Sequence, residues 1–284
     1  MDYQNKISAY KAVLSENDFQ KIKSFVESKY GIKLPMQKKI MVQGRLHKRL
    51  VETGYNDFES YLDFVFSEQG KNGELYNMVD ALSTNKTSFF REPHHFDFIQ
   101  SNVIPAFIRA HSFKTLKAWS AGCSSGEEVY TLAMILNEGF EQMPRMGYSI
   151  FGSDISVQML KKARQAIYPI DYADDIPVYL RKKYILKSKD PSKKLMRVSQ
   201  QLRSHVLFNR LNFMASAYQT PYTFDIVLLR NVIIYFDKPT QNEVIRKVVE
   251  KMNRGGYLFL GHSETILNNN FPLENVGPTI FRKI

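Results

Sequence analysis

Along the first 84 residues, apolar positions recur at three- and four-residue steps, the period of helices that bury one face. SENDFQKIKSFVESKYG (15–31) opens with Ser15 and Asp18 at capping-box spacing. It then carries Phe19, Ile22, Phe25, Val26 and Tyr30 along one face and stops at Gly31. MQKKIMVQGRLHKRLVETG (36–54) predicts a second helix over about 36–52. Its expected arcs are Met36, Ile40, Leu46, Leu50 and Val51 on one side, and Lys38, Arg45, Lys48 and Arg49 on the other. DFESYLDFVFS (57–67) and GELYNMVDALS (73–83) read as further helices.

The texture changes after Thr115. TLKAWSAG (115–122), YSIFGSDI (148–155), FDIVLLRN (224–231) and GGYLFLGH (255–262) are apolar runs of strand length, and helical patterns separate them at 126–139, 156–166 and 239–253. Strands alternating with helices predict an α/β domain, a Rossmann-like doubly wound parallel sheet covered on both faces. The stretch at about 168–210 breaks the rhythm with Pro and Lys and is expected to be an inserted β-subdomain. Two domains follow, an all-helical one over 1–84 and an α/β one over 85–284.

Composition adds limits. With 44% hydrophobic residues the chain can bury a substantial core, and its single Cys123 excludes an internal disulfide, as expected in a reducing cytoplasm. No apolar run is long enough to span a bilayer, and MDYQNKISAYKAV has no signal-peptide core, so a cytoplasmic protein is expected. The formal charge of +11 is unevenly spread. No acid lies between Glu27 and Glu52, and from Ile176 to Arg210 ten Lys and Arg face the lone Asp190. Such patches are either solvated faces or attract acidic partners.

The chemistry concentrates in WSAGCSSGEEVYTLA (119–133), where a strand runs into small residues and then a helix. In a doubly wound sheet ligands bind beyond the strand tips. Gly122 and Gly126 allow backbone conformations or close approaches that a Cβ would obstruct. The next strand ends in Asp154, where nucleotide-binding folds accept ribose hydroxyls. AGCSSG lacks the G-x-G-x-x-G spacing, and Glu127 and Glu128 would repel a pyrophosphate but favour a cation. That points away from a dinucleotide and towards S-adenosylmethionine. Ser125 and Glu128 also have capping-box spacing, and Asp154 could instead cap the helix after it. Cys123 reads as a small filler, with no base beside it. His94 and His95, adjacent on a helix, should point apart, and no Cys/His set completes a zinc site, so no metal is expected.

STNKTSFFREPHHF (83–96), LLRNVIIYFDKPTQ (228–241) and LGHSET (260–265), together with the glycine turn and SDIS, closely resemble the CheR-type chemoreceptor glutamate methyltransferases over nearly the whole chain. The resemblance implies transfer of a methyl group from S-adenosylmethionine, with S-adenosylhomocysteine as product, to glutamate side chains of the cytoplasmic helical region of chemoreceptors. It implies cofactor contacts at Asn85, Thr87, Arg91, Gly122, Glu128, Asp154, Asn212, Phe213, Arg230 and Asn231. Arg91 and Tyr235 match the family positions that face the methyl group and the substrate carboxylate. The basic helix, through Lys38, Arg45, Lys48 and Arg49, would meet the acidic receptor bundle, and the β-subdomain could dock a receptor's C-terminal peptide. A monomer is expected. Cys123 and Val129 depart from the Ala and Pro common at those positions, and both are compatible with cofactor binding.

A glutamate carboxylate, ionised at neutral pH, needs no general base to attack a sulfonium methyl, so the lack of a Ser/His/Asp or Cys/His arrangement is no objection. Arg91 would then orient the carboxylate without a tight bidentate grip, which would blunt the nucleophile. A nucleic-acid methyltransferase suits the basic patches, but neither an N/D-P-P-Y/F tetrapeptide nor a cysteine motif for base attack is present, so nucleic acid is not the expected partner. A cofactor-binding module without catalysis is the remaining alternative, disfavoured by Arg91 and Tyr235.

Overall fold

The computed structural model describes residues 8–266 and 271–284. The chain divides into two compact units, one formed by residues up to Thr84 with Tyr235–Thr240, the other by Asn85–Ile234 with Gln241 onward.

The first unit is helical. Helix α1 (Glu16–Tyr30) starts where Ser15 Oγ accepts the Asp18 N–H and ends at Gly31, whose φ of 72° a side chain would resist. Helix α2 (Lys39–Thr53) follows a 3-10 turn at Met36–Lys38 and ends at Gly54. Helix α3 (Phe58–Phe66) is capped by Asp57, a short helical turn follows at Glu68–Lys71, and α4 spans Glu74–Leu82. Phe19, Ile22, Val42, Leu46, Leu50, Phe58, Tyr61, Leu62 and Met78 interdigitate in one core. Each such aliphatic or phenyl side chain contributes about 1.5–3 kcal/mol by leaving water.

The arcs expected for α2 need correcting. The buried stripe is Val42, Leu46 and Leu50, at exact four-residue steps, while Ile40 is 83% exposed. Arg49 flanks the buried stripe instead of standing opposite it, because its charge is matched by the buried Glu74.

In the second unit, helix α5 (Pro93–Phe98) runs through a π-helical turn into α6 (Ile104–Ala110). Strands β1 (Thr115–Ala121) and β2 (Gly147–Asp154) flank helix α7 (Glu127–Phe140) in the chain, and helix α8 (Val157–Gln165) follows β2. Strands β3 (Ile167–Pro169), β4 (Ile185–Lys187) and β5 (Leu195–Val198) form a small antiparallel sheet in the order β3-β5-β4, with helix α9 (Val178–Tyr184) between β3 and β4 in sequence. Strand β6 (Val206–Arg210) returns to the main sheet, followed by β7 (Phe224–Leu229), α10 (Lys238–Glu250), β8 (Met252–Leu260), β9 (Leu273–Gly277) and β10 (Ile280–Lys283).

The main sheet has the order β6-β2-β1-β7-β8-β10-β9, parallel except where β10 pairs with β8 and β9. Every residue of β7 is buried, Asp225 included, and the unbroken apolar run Ile226–Leu229 is what a parallel strand covered on both faces requires. The order reverses between β1 and β7, so the crevice for a ligand lies at the tips of those strands.

Two sequence boundaries shift. The insertion does not extend to 210, because Val206–Arg210 pairs in parallel with Ile150–Asp154 as an edge strand of the main sheet. With one flank open, that strand carries polar residues and reads like subdomain. The last helix stops at Glu250, not 253, and Met252 already pairs with Phe224.

Candidate cofactor and methyl-transfer site

Beyond the tip of β1 the backbone turns sharply, with positive φ at Gly122 (91°), Ser124 (48°) and Gly126 (95°). A Cβ on Gly122 would collide with Val232. The Gly122 and Cys123 N–H groups both donate to Ser153 O, at 2.8 and 2.9 Å, locking the turn to β2. Asp154 completes the lock: Oδ2 accepts the Ser124 N–H and Oδ1 the Ser156 N–H, each at 2.8 Å. The cap of α8 is Ser156, whose Oγ accepts the Met159 N–H, so Asp154 is not the helix cap that its position allowed. Nor do Ser125 and Glu128 form a capping box. Gly126 occupies the N-cap of α7 without a side-chain bond, and Ser125 Oγ donates to Glu127 instead.

Glu128 faces the strand tips. Its carboxylate accepts Ser120 Oγ–H at 2.6 Å and lies 3.5 Å from Arg230 Nη1. Burial pushes its carboxyl up, and the Arg230 charge and the Ser120 bond oppose that. Arg230, 6% exposed, also approaches Glu92 at 3.3 Å and donates to the Arg91 carbonyl. Yet Arg230 Nε and Nη1 and Glu92 Oε2 are buried without hydrogen-bond partners among the described residues. Burial also pushes the Cys123 thiol well up, with Asp154 and Glu128 adding to it, which suits the filler role and disfavours a thiolate.

Residues 85–92 form a strap along these tips. Ser124 Oγ donates to Asn85 O at 2.9 Å, and the Phe90 N–H donates to Thr131 Oγ1 at 3.1 Å. Phe90 and Glu92 hold φ values of 52° and 55°, a conformation that non-glycine residues adopt only when their surroundings impose it. The Arg91 guanidinium donates to Lys86 O at 2.9 Å; the ion pair to Glu92 belongs to Arg230 instead. Asn212 and Phe213 follow β6, and Leu211 N–H donates to Asp154 O at 3.0 Å, extending that edge to the tips. Asn212 Oδ1 accepts the Met214 N–H and Phe213 is buried.

Of the expected residues, Asn85 and Asp154 are both bonded to Ser124 in the turn that contains Gly122, and Glu128 and Arg91 are both bonded to Arg230, which Asn231 follows in sequence. Thr87 lies on the same strap. Tyr235 ends a 3-10 turn at Ile233–Tyr235, where its carbonyl accepts the Lys33 N–H at 2.9 Å within the helical unit.

In GHSET, the sequence leaves His262 and Glu264 open between a structural turn and catalysis; the Glu264 carboxylate accepts the backbone N–H groups of Asn231–Ile234 and Gly261, which is a turn-forming role. The expectation that His94 and His95 diverge is corrected. Their ring centroids are 4.1 Å apart, and His262 lies 4.8 Å from His94, because the strained Glu92 and Pro93 start a helix that delivers both rings to one place. Burial, with the Arg230 charge next, lowers the His95 pKa to about 3.

These features fit S-adenosylmethionine. Two carboxylates face one guanidinium, and three of their polar atoms lack hydrogen-bond partners among the described residues; that leaves a net negative, under-bonded lining for a cationic ligand. Positive-φ glycine clears the approach to β1, and an aspartate closes β2.

Comparison with known proteins decides the matter. The family model for the CheR methyltransferase SAM binding domain matches residues 85–281, and that for the CheR methyltransferase all-alpha domain matches 17–83. The chain belongs to the CheR methyltransferase family. It is 36% identical to the chemotaxis protein methyltransferase of Borreliella burgdorferi, over 95% of each chain. It is also 36% identical to that of Escherichia coli, over 94% of this chain and 91% of the relative. The Salmonella typhimurium protein of the same description is 35% identical, over 94% and 90%. This CheR-family chain is therefore a methyltransferase that takes its methyl group from S-adenosylmethionine.

Proposed function

We propose that this protein methylates side-chain carboxylates of glutamates on chemotaxis receptors, in the cytoplasm, as part of sensory adaptation. The observation that carries the reading is the under-bonded Glu128–Arg230–Glu92 cluster at the tips of a sheet whose family is methyltransferase. The relatives' description as chemotaxis methyltransferases supports the receptor as substrate. No helix of the described residues is long and apolar enough to cross a membrane, in keeping with catalysis on the receptor's cytoplasmic part.

Bound S-adenosylmethionine supplies an electrophilic methyl on a sulfonium and leaves as S-adenosylhomocysteine. Asn85, Thr87, Gly122, Glu128, Asp154, Asn212, Phe213, Arg230 and Asn231 are the residues assigned to hold it. The chain itself need move no proton, since the receptor glutamate is already ionised. Its contribution is alignment, which can supply several kcal/mol to roughly ten. Arg91 spends one guanidinium nitrogen on Lys86 O, leaving a partial grip on the acceptor carboxylate, and Tyr235 orients the other oxygen. Turnover should fall at least tenfold in both Arg91→Ala and Tyr235→Phe, and near-normal rates in both remove these residues from the site.

On the helical unit, Lys48 and Lys38 carry the proposed attraction to acidic receptor helices. Lys48 is well exposed and pairs with Glu52 at 3.6 Å. Arg45 and Arg49 are committed within the unit. Arg45 donates to the carbonyls of Leu82 and Ser83, at the end of α4. In the β-subdomain, a cavity of about 500 Å³ is lined by Ile170, Val178, Ile185, Lys182 and Lys187, together with Arg181, which is paired to Asp174 at 3.2 Å; its apolar groups and two lysines suit a receptor's terminal peptide.

Incubating the protein with methyl-labelled S-adenosylmethionine and receptor cytoplasmic fragments should place base-labile label on the fragments, the mark of a carboxyl methyl ester. Base-stable label there, or label on added nucleic acid instead, rejects the reading.

A further inference from the structure

The loop after β7 carries Arg230 and Asn231, then turns with Asn231 at φ 59°. Asparagine tolerates this left-handed backbone better than other side chains do, and partners outside the turn fix the loop in it. The partner is Glu264, 3% exposed, in the loop after β8. Its Oε2 accepts the N–H of Asn231 at 2.8 Å and of Gly261 at 2.7 Å. Its Oε1 accepts those of Val232 at 2.8 Å, Ile233 at 2.9 Å and Ile234 at 3.4 Å. One side chain thus gathers five successive or facing amides into an anion nest turned inside out: the protein supplies the anion, and the anion shapes the loop. Gly261 has no Cβ because one would run into Asn231.

We infer that Glu264 is the positioning residue of the cofactor site, holding the backbone from which Arg230 and Asn231 reach the cofactor. The inference rests on the assignment of those two residues to S-adenosylmethionine. Both carboxylate oxygens are needed. In Glu264→Gln the amide nitrogen replaces one acceptor, so either the Asn231 and Gly261 donors or the Val232–Ile234 donors face another donor. The side chain keeps its shape and the loop loses its hold.

Calorimetric titration of the full-length protein with S-adenosylhomocysteine tests this. Glu264→Gln should raise Kd at least tenfold, with the number of sites per folded chain unchanged. The KM for S-adenosylmethionine should rise in step, while the KM for receptor fragments stays within about twofold. A merely structural role gives the opposite pattern: fewer binding sites at wild-type Kd. Val248→Ala, which opens a cavity in α10, serves as the control for lost stability and should show that pattern. Wild-type Kd in Glu264→Gln overturns the inference. Asn231→Ala tests the underlying assignment separately. Weakened binding there with normal binding in Glu264→Gln defeats the positioning role alone, and normal binding in Asn231→Ala removes the assignment and the inference with it.

Discussion

Arg49 in the helical unit and Arg230 at the strand tips are both largely buried guanidiniums between carboxylates, and they are treated in opposite ways. Arg49 grips Glu74 with two nitrogens, at 2.8 and 2.6 Å, and its third meets Glu52. Glu74 also receives Tyr61 O–H and Asn77 Nδ2–H, each at 2.9 Å. Burial alone would raise the Glu74 carboxyl, but these donors win and hold it below the usual range. Arg230 meets its carboxylates at 3.3 and 3.5 Å, and its Nε has no hydrogen-bond partner among the described residues. A closed set of bonds cross-links α2 to α4. An open set, kept in place by a strained strap and by Glu264, retains bonding capacity for something that arrives later.

The widest test of that contrast removes each arginine in turn. Arg49→Ala strands the buried Glu74 and should cost about 3 kcal/mol of stability in urea melts, leaving Kd for S-adenosylhomocysteine unchanged. In the wild type that pair's contribution is complete above about pH 4.5, the ordinary value for Glu, and is lost as pH falls further, since the folded-state pKa is depressed. Arg230→Met also strands buried carboxylates, but unlike Arg49→Ala it should weaken cofactor binding at least tenfold, about 1.4 kcal/mol. Unchanged Kd for S-adenosylhomocysteine in Arg230→Met would break the comparison.

The histidine cluster beside Arg230 sharpens it through pH. His95 donates to or accepts from Thr279 Oγ1 at 2.9 Å and is surrounded by Glu92, His94, His262 and Arg230. With a folded-state pKa near 3 against an ordinary 6.5, the folded chain binds fewer protons than the unfolded chain between those values. Stability should therefore fall as pH drops below 6.5, approaching about 1.4 kcal/mol per pH unit for this residue alone. Urea melts from pH 7.5 to 5 should show a shallower fall in His95→Gln than in the wild type. The smallest effect concerns the exposed face of α2. Lys48→Glu should slow receptor methylation a few-fold at low salt and hardly at all at high salt, because surface charge steers encounter and is screened. Arg45→Glu should instead lower stability, having lost its carbonyl partners on α4.

Periodicity alone determined the helical front, the alternating strands and the small-residue turn, because burying one helix face or both sheet faces writes 3.6-residue or continuous apolar patterns into any chain that folds this way. The residue types after the glycine turn also pointed to one carboxylate at the strand tips, Glu128, whereas its neighbour Glu127 turns to Ser125 and the second carboxylate at Arg230 is Glu92. What the sequence could not decide depends on partners distant in the chain. Whether Arg49 is a docking charge or a cross-link rests on Glu74, 25 residues away. Whether Val206–Arg210 joins the insertion or the main sheet rests on its pairing with β2. Glu264 becomes the organiser of residues 231–234 only when β8 is laid beside β7. Hydrophobic pattern is a local property, whereas the fate of a buried charge is fixed by whichever donors folding brings within 3 Å of it.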